Sequence, residues 1–466
     1  MPDLYQFVDS ITEDPTILLD LSLAPWSVLL SGTTLGPPPL RRARVTNLMS
    51  HGDHIPAAAY GNQILKLALL LQTEDEDAVA VAVQRLAWEL DRPTNLLRHW
   101  PAGQTHPVFY RTIKSELGPL EEILTTLKQA TIPIEAEPFA LGLKQTLAPV
   151  TISGDPATGC YFEVNGVLGD VETPLYLEFD ADDVIAPGRR EMVISVRRRG
   201  NPANAPWILQ AEAMDRAANT TLPGNDPTAS GTGNNYTRST SLTSDFVTRL
   251  SGVFGSVPGV DVRGKSRLYG RFRKTNATGE VRVRLAFSPD GVTEYIPDTV
   301  GVVLPADTVW RWVDLGTIQI PFGYDPGTDG PSGVDLPARG YEIRVQQCIT
   351  DGASNLETDA VVGMPADDRL CKILWPGTAG PTSLMLDSSA RPKAYGLGAA
   401  GEVYPTALIP IVGGTPMVSP NDAYNLVRVL DDAGTKSAAG HLLNNSVRAV
   451  PIYWPRYLGG MRPPTT

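Results

Sequence analysis

Ile132-Pro133-Ile134-Glu135-Ala136-Glu137-Pro138-Phe139-Ala140-Leu141-Gly142 is the stretch that decides the architecture of this chain. Apolar and polar residues alternate up to Ala136, the period of a strand that buries one face. The alternation breaks at Pro138, because proline fixes φ and removes a backbone donor. Before this corner the chain reads as mixed strand and helix. After it the composition turns Gly-, Asn- and Thr-rich, with short strands between turns.

Upstream of the corner, Ile17-Leu18-Leu19 and Trp26-Ser27-Val28-Leu29-Leu30 read as short strands, and Gly36-Pro37-Pro38-Pro39 as a stiff connector. Arg41 to Asn47 alternates again, Gln63 to Leu71 reads as a buried strand, and Val108 to Ile113 as another. Between them Val79, Val83, Leu86 and Leu90 recur at helical spacing. A helix is therefore expected from about Glu74 to Leu90, with Thr73 as its cap, Glu76 as capping-box partner and Pro93 as its stop. Leu120, Ile123, Leu124 and Leu127 suggest a second helix from Pro119 to Gln129. The first unit is expected to be sheets with one or two helices packed on them.

Downstream, Tyr161–Val164, Leu175–Phe179 and Met192–Val196 read as strands, and Asn201-Pro202-Ala203-Asn204-Ala205-Pro206 as a polar seam. A further module follows from Trp207 to Ile373. It has a loose stretch from Asn225 to Thr237 and strong strands at Arg267–Arg273, Val281–Phe287 and Trp310–Gly316. Arginines alternate with apolar residues in those strands, which predicts one buried face and one wet, basic face. Short strands resume at Thr406–Ile411 and Asn425–Leu430, and Val447 to Leu458 reads as a strand followed by an aromatic plug. Together these patterns predict a mainly β protein with some α.

The chain has 466 residues, enough for about three units of ordinary size, and a formal net charge of -12. An acidic chain does not bind nucleic acid through its overall field. Cys160, Cys348 and Cys371 are an odd number and far apart, so no disulfide framework or zinc knuckle is implied, and Cys348 reads as a small buried filler. The start, Met1-Pro2-Asp3-Leu4-Tyr5, lacks a basic region before an apolar core and so does not read as a signal peptide, and no apolar run is long enough to span a membrane.

Candidates for chemistry are sparse. His51-Gly52-Asp53-His54 has two histidines in a turn-like segment without a third ligand, and reads as a solvated loop rather than a metal site. Gly231-Thr232-Gly233-Asn234-Asn235 lacks the strand and helix that a phosphate loop needs. Asp367-Asp368 lies beside a Met-Pro turn, where sequence cannot set two acids across a sugar. No enzyme, metal or cofactor is expected.

Several of these segments resemble distal tail (Dit-like) proteins, minor tail proteins of long-tailed, siphovirus-type actinobacterial phages. They are Arg41–Asn47, Gly61–Leu67, the alanine-rich Ala78–Leu90 helix, Phe109–Thr112 and the Glu137–Gly142 corner, together with Asn165-Gly166-Val167-Leu168-Gly169-Asp170 and Trp454-Pro455-Arg456-Tyr457-Leu458. The resemblance implies an α+β ring-forming domain at 1–145 and a galectin-like β-sandwich in two segments, 146–206 and 374–466. The 207–373 module is similar to a carbohydrate-binding-module-like jelly roll inserted between them. It further implies a usually hexameric ring at the tail tip of a virion, assembled in the host cytoplasm. The ring's partners would be tail tube, tape measure and tail hub or tip proteins, with DNA passing through but not specifically bound.

Host cell-wall glycan contact is the further expectation for the jelly-roll module, with Tyr236, Trp310, Trp312 and Tyr341 as candidate stacking platforms. Trp310 and Trp312 flank Arg311 and share a strand face, which sequence leaves open as core or wet. The alternative is a sugar-binding module of a secreted bacterial polysaccharide-active protein.

Overall fold

The computed structural model describes residues 3–46, 53–93, 95–152, 161–180, 190–198, 208–223, 226, 229, 235–254, 264–288, 293–320, 341–365, 370–375, 383–389, 392–398, 411–420, 425–433 and 447–459. The protein is mainly β, with one α-helix among the described residues. It forms two compact units. The first comprises Met1–Gln145, Val167–Thr173 and Tyr453–Thr466, and the second Thr146–Gly166 and Pro174–Ile452.

The first unit is built on strands β1 (Leu4–Val8), β2 (Ile17–Asp20), β3 (Trp26–Thr34), β4 (Leu40–Thr46), β5 (Asp53–Tyr60), β6 (Gln63–Gln72), β7 (Asn95–Trp100), β8 (Val108–Ser115), β9 (Leu120–Leu124), β10 (Leu127–Ala136) and β11 (Ala140–Leu141), with helix α1 (Glu76–Leu90). The main sheet runs β2-β1-β7-β8-β10-β6-β3. Strand β10, the quoted alternating run, pairs with β6 from Leu127↔Gln72 to Ala136↔Gln63. Leu65, Leu67, Ile132 and Ile134 are fully buried on its inner face. Helix α1 lays Val79, Ala82, Leu86 and Leu90 into the same core. Strands β4 and β5 form a separate two-stranded sheet.

Two sequence expectations change here. The cap of α1 is Asp75, whose carboxylate accepts from the Ala78 amide at 2.7 Å, while Thr73 donates its hydroxyl to the Asp75 carbonyl. A carboxylate at this position also meets the positive helix end. The expected helix at Pro119–Gln129 is instead the β9–β10 hairpin, with Leu127↔Leu124 and Ala130↔Leu120 in register. Among the described residues no element covers Leu120, Ile123 and Leu124, which stay exposed, so helical spacing had no core to serve. The ten-residue ladder with β6 fixes Leu127–Ala136 as extended.

Among the described residues the second unit holds four larger sheets. Two of them, ordered Thr220–Thr221, Thr237–Ser239, Leu356–Pro365, Gly264–Lys274, Arg311–Ile320 and Asp215–Arg216, Val247–Phe254, Tyr341–Asp351, Glu280–Ser288, Val302–Val303, enclose one core. Leu268, Phe272, Val313 and Val361 face Leu250, Val283, Leu285 and Val345 across it, which makes the pair a β-sandwich. A third sheet includes Val447–Tyr453, Tyr176–Asp180, Ser383–Asp387 and Lys393–Leu397. The fourth runs Tyr161–Val164, Asn425–Ala433, Arg190–Arg198, Leu370–Trp375, Ile411–Gly413.

Met192, Ile194 and Val196 are buried on one face of this fourth sheet. Its other face carries Val193, Leu370 and Leu430, which cluster with Tyr269, Trp312, Val362 and Met364 of the sandwich. Arg428 donates across that seam to the Gly363 carbonyl at 3.0 Å. Strand Leu370–Trp375, which straddles the expected boundary at residue 373, pairs with Arg190–Arg198.

Candidate functional site

Three stretches singled out in the sequence meet at one place in the first unit. The Glu137–Gly142 corner delivers β11, which pairs with the short strand Arg456–Tyr457 as Ala140↔Tyr457 and Leu141↔Arg456. Gly142 donates its amide to the Pro455 carbonyl at 2.8 Å. A Cβ on Gly142 would stand 3.0 Å from the Tyr457 ring and 3.3 Å from the Pro455 side chain, so any larger residue there requires those side chains to give way.

From the other side comes Gly169, at φ +118, where a Cβ would fall 2.7 Å from the Arg456 carbonyl oxygen. The Asp170 amide donates to that same carbonyl at 2.8 Å, and the Asp170 carboxylate accepts from the Leu458 amide at 3.0 Å. Arg456 also lies over the Phe139 ring at 5.3 Å, and Tyr457 enters the core of the unit. This is a staple: the first unit is closed by segments that the chain supplies only after passing through the second.

Beside α1 lies a cleft of about 790 Å³, lined by Val81, Gln84, Arg85, Trp88, Asp91 and Leu117, among others. Trp88 and Val81 are each 66% exposed. They stand off the buried stripe of the helix, Val79, Ala82, Leu86 and Leu90, so their apolar character serves no core face. No basic residue lies in the last turn of α1.

The glycan candidates are placed as follows. Tyr236 and Trp310 come together edge to face at 5.8 Å, both buried, with Ala229 against them. Trp312 is buried in the separate seam cluster with Tyr269 and Met364. Tyr341 begins a strand, and its side chain lies outside the described residues.

The sheet face bearing Tyr236 and Trp310 is not the wet, basic face the alternation predicted. Arg271 is 1% exposed. It donates to Asp359 at 2.5 Å and lies over the Trp310 ring at 5.2 Å. Arg273 sits over the same ring at 4.5 Å and bridges Glu357 and Asp226. Arg238 donates to Glu357 as well. Donating to the Glu357 carboxylate raises the Arg238 guanidinium pKa above its ordinary value. Burial, and then Glu357, push the Tyr236 hydroxyl up. Arg238, Arg271 and Arg273 stay on this face because each meets a carboxylate and a tryptophan or tyrosine ring in place of water.

His51, Gly231–Asn234 and Asp367-Asp368 lie outside the described residues, and the His54 side chain does too. Among the described residues no group of three His, Cys, Asp or Glu side chains is arranged to hold a metal, and no helix is long and apolar enough to cross a membrane. Cys348 is buried, as is Cys371, whose thiol burial pushes up to about 12.

No family model matches the chain, and no curated protein does. Among solved structures it is similar to the SPP1 Dit protein, described as a paradigm of the hub adsorption apparatus in phages infecting Gram-positive hosts. That match has 9% identity and a TM-score of 0.27, and covers 77% of this chain and 99% of that one. It is also similar to a chain of the phage P2 baseplate in its activated conformation with Ca, at 10% identity and TM-score 0.25, covering 78% of this chain and 99% of that one. At these values neither likeness assigns a function.

Proposed function

We propose that this protein is a structural component of a phage tail tip, a ring adaptor that joins the tail tube to hub or tip proteins through its first unit. The observation that carries this is the staple at Arg456. The Glu137–Gly142 corner, the Gly169-Asp170 turn and the Trp454–Leu458 end belong to three of the stretches that resemble distal tail proteins. They are far apart in sequence, yet they bond to one another around a single residue. In this reading the second unit is a galectin-like sandwich with a jelly-roll insertion, and the protein performs no catalysis.

The test is the mass of the full-length protein in solution at high concentration, together with images of tail particles containing it. A closed ring of identical copies is expected. A strictly monomeric chain that is also absent from tail tips as a ring would end the proposal.

Glycan contact by the insertion is a separate step within it. Stacking a sugar on Tyr236 or Trp310 requires the Arg238–Glu357–Arg273–Asp226 network to open first. A binding screen against host cell-wall polymers, repeated with Tyr236→Ala and Trp310→Ala, reads it. Loss of binding in both variants supports this face. Unchanged binding moves the contact elsewhere, and no binding by the wild type removes it.

A further inference from the structure

The sandwich face that holds Tyr236 and Trp310 carries more positive charge than its own sheet neutralises. Arg238 stands on strand Thr237–Ser239, and Arg271 and Arg273 on Gly264–Lys274. Both strands flank Leu356–Pro365, which supplies Glu357 and Asp359. Glu357 is in register with Arg238 on one side and with Arg273 on the other. One of its oxygens accepts from Arg238 Nε at 2.9 Å, and the other accepts from Arg273 Nε. Asp359 is engaged by Arg271. Three guanidiniums thus face two carboxylates of the sheet, and Glu357 is divided between two of them.

The third negative charge comes from off the sheet. Asp226 lies in sequence between the strands Thr220–Thr221 and Thr237–Ser239, and its carboxylate accepts from Arg273 Nη2 at 2.6 Å. The Ala229 amide donates to the Asp226 carbonyl at 2.9 Å, and Ala229 packs with the Tyr236–Trp310 pair. Asp226 and Ala229 therefore supply an anion for Arg273 and an apolar cover for the two rings. The ion pairs of this face differ in their access to water. The Arg271 and Asp359 side chains are 2% and 0% exposed, whereas Arg273 and Asp226 are 20% and 17% exposed. Exchanging Asp226 for another anion leaves the fully desolvated pair intact.

What remains on the sheet sets the chemistry of the replacement. Without Asp226 the face holds one positive charge in excess, next to Arg273. A guanidinium fork pairs best with a planar acceptor of two oxygens, such as a carboxylate. The Trp310 and Tyr236 rings lie 4.5 Å and 5.6 Å from the Arg273 guanidinium, so aromatic surface adjoins the charge. A carboxylate borne on a pyranose matches both features, offering its acid to the arginine and its C–H face to the aromatic rings.

We infer that Asp226 is an internal substitute for the carboxylate of an acidic sugar, and that this face takes a uronate-bearing polysaccharide when Asp226 is displaced. This rests on the glycan contact proposed above and names its ligand class and its restraint. Apparent affinity falls with the fraction of molecules whose site is free, so the wild type binds weakly.

Full-length protein is titrated calorimetrically with polygalacturonate and with the same polymer fully methyl-esterified, which keeps the backbone and loses the charge. Asp226→Asn and Asp226→Ala are compared with wild type, and circular dichroism establishes that each is folded. Both variants are expected to bind polygalacturonate at least about tenfold more tightly than wild type. Neither is expected to gain affinity for the ester. Adding Arg273→Met to Asp226→Asn is expected to abolish the gain. The wild type supplies a reading that needs no variant: its weaker binding is expected with polygalacturonate and absent with the ester.

Equal binding of polygalacturonate by wild type and both Asp226 variants overturns the inference, as does a gain that survives Arg273→Met. If the ester or a neutral wall polymer binds as well as the acid, this inference fails while glycan contact stands. If neither wild type nor the variants bind any polymer, glycan contact by the insertion fails with it, and the ring proposal is untouched.

Discussion

Arg271 is the residue on which the outer sandwich face depends. Its ion pair with Asp359 is almost wholly out of water, at 2% and 0% side-chain exposure. Removing one partner of a buried pair leaves an uncompensated charge, so Arg271→Ala is expected to cost about 3–5 kcal/mol, read as a fall in Tm. Replacing both, as Arg271→Met with Asp359→Leu, should recover most of that loss, because the attraction within a buried ion pair is largely offset by the cost of desolvating both charges. At Asp75 the effect is smaller. Asp75→Ala removes the side-chain acceptor for the Ala78 amide and is expected to cost about 1 kcal/mol, measured by chemical denaturation. Gly142→Ala forces Tyr457 and Pro455 to shift and should cost about 1–3 kcal/mol.

Among the elements, those with a strict period were legible in the sequence and those shaped by pairing were not. The β10 alternation and the Val79/Leu86/Leu90 stripe of α1 led directly to the observed strand and helix, because each face has a core to enter. Leu120, Ile123 and Leu124 carry the same helical spacing yet form a strand, because β10 offers them a ladder and nothing offers them a core. The Arg271–Arg273 alternation likewise spoke of a wet face. Only the fold brings Asp359, Glu357 and Asp226 opposite those arginines, from positions distant in sequence. The Arg456 staple was visible as three separate stretches, but their meeting was not, since no local pattern encodes a contact between remote segments.

For the whole molecule, stability should fail at alkaline pH. In the first unit burial, with Asp3 adding to it, raises the Tyr5 hydroxyl from its ordinary 10.0 to about 12. In the second unit burial raises the Cys371 thiol from 9.0 to about 12. A group whose proton is held more tightly when folded contributes stability that is complete below its unfolded pKa and lost as pH climbs through the folded one. Stability is therefore expected to fall between pH 9 and about 12, with tyrosine ionisation appearing together with unfolding in absorbance titrations. Tyr5→Phe should soften the decline above pH 10.

The two-unit organisation gives a further expectation. Tyr457→Ala empties a position in the core of the first unit and is expected to cost about 3–5 kcal/mol. Calorimetry should show the loss in one transition, with a second, belonging to the other unit, left in place.

The staple at Arg456 also sets a schedule for biosynthesis. Leu141 leaves the ribosome long before its partner Arg456 has been translated, an interval on the order of tens of seconds at ~5–20 residues per second. Throughout that interval a nascent first unit lacks Tyr457 in its interior. The interior of the first unit is thus completed only once the Arg456–Tyr457 strand has been synthesised and has paired with β11.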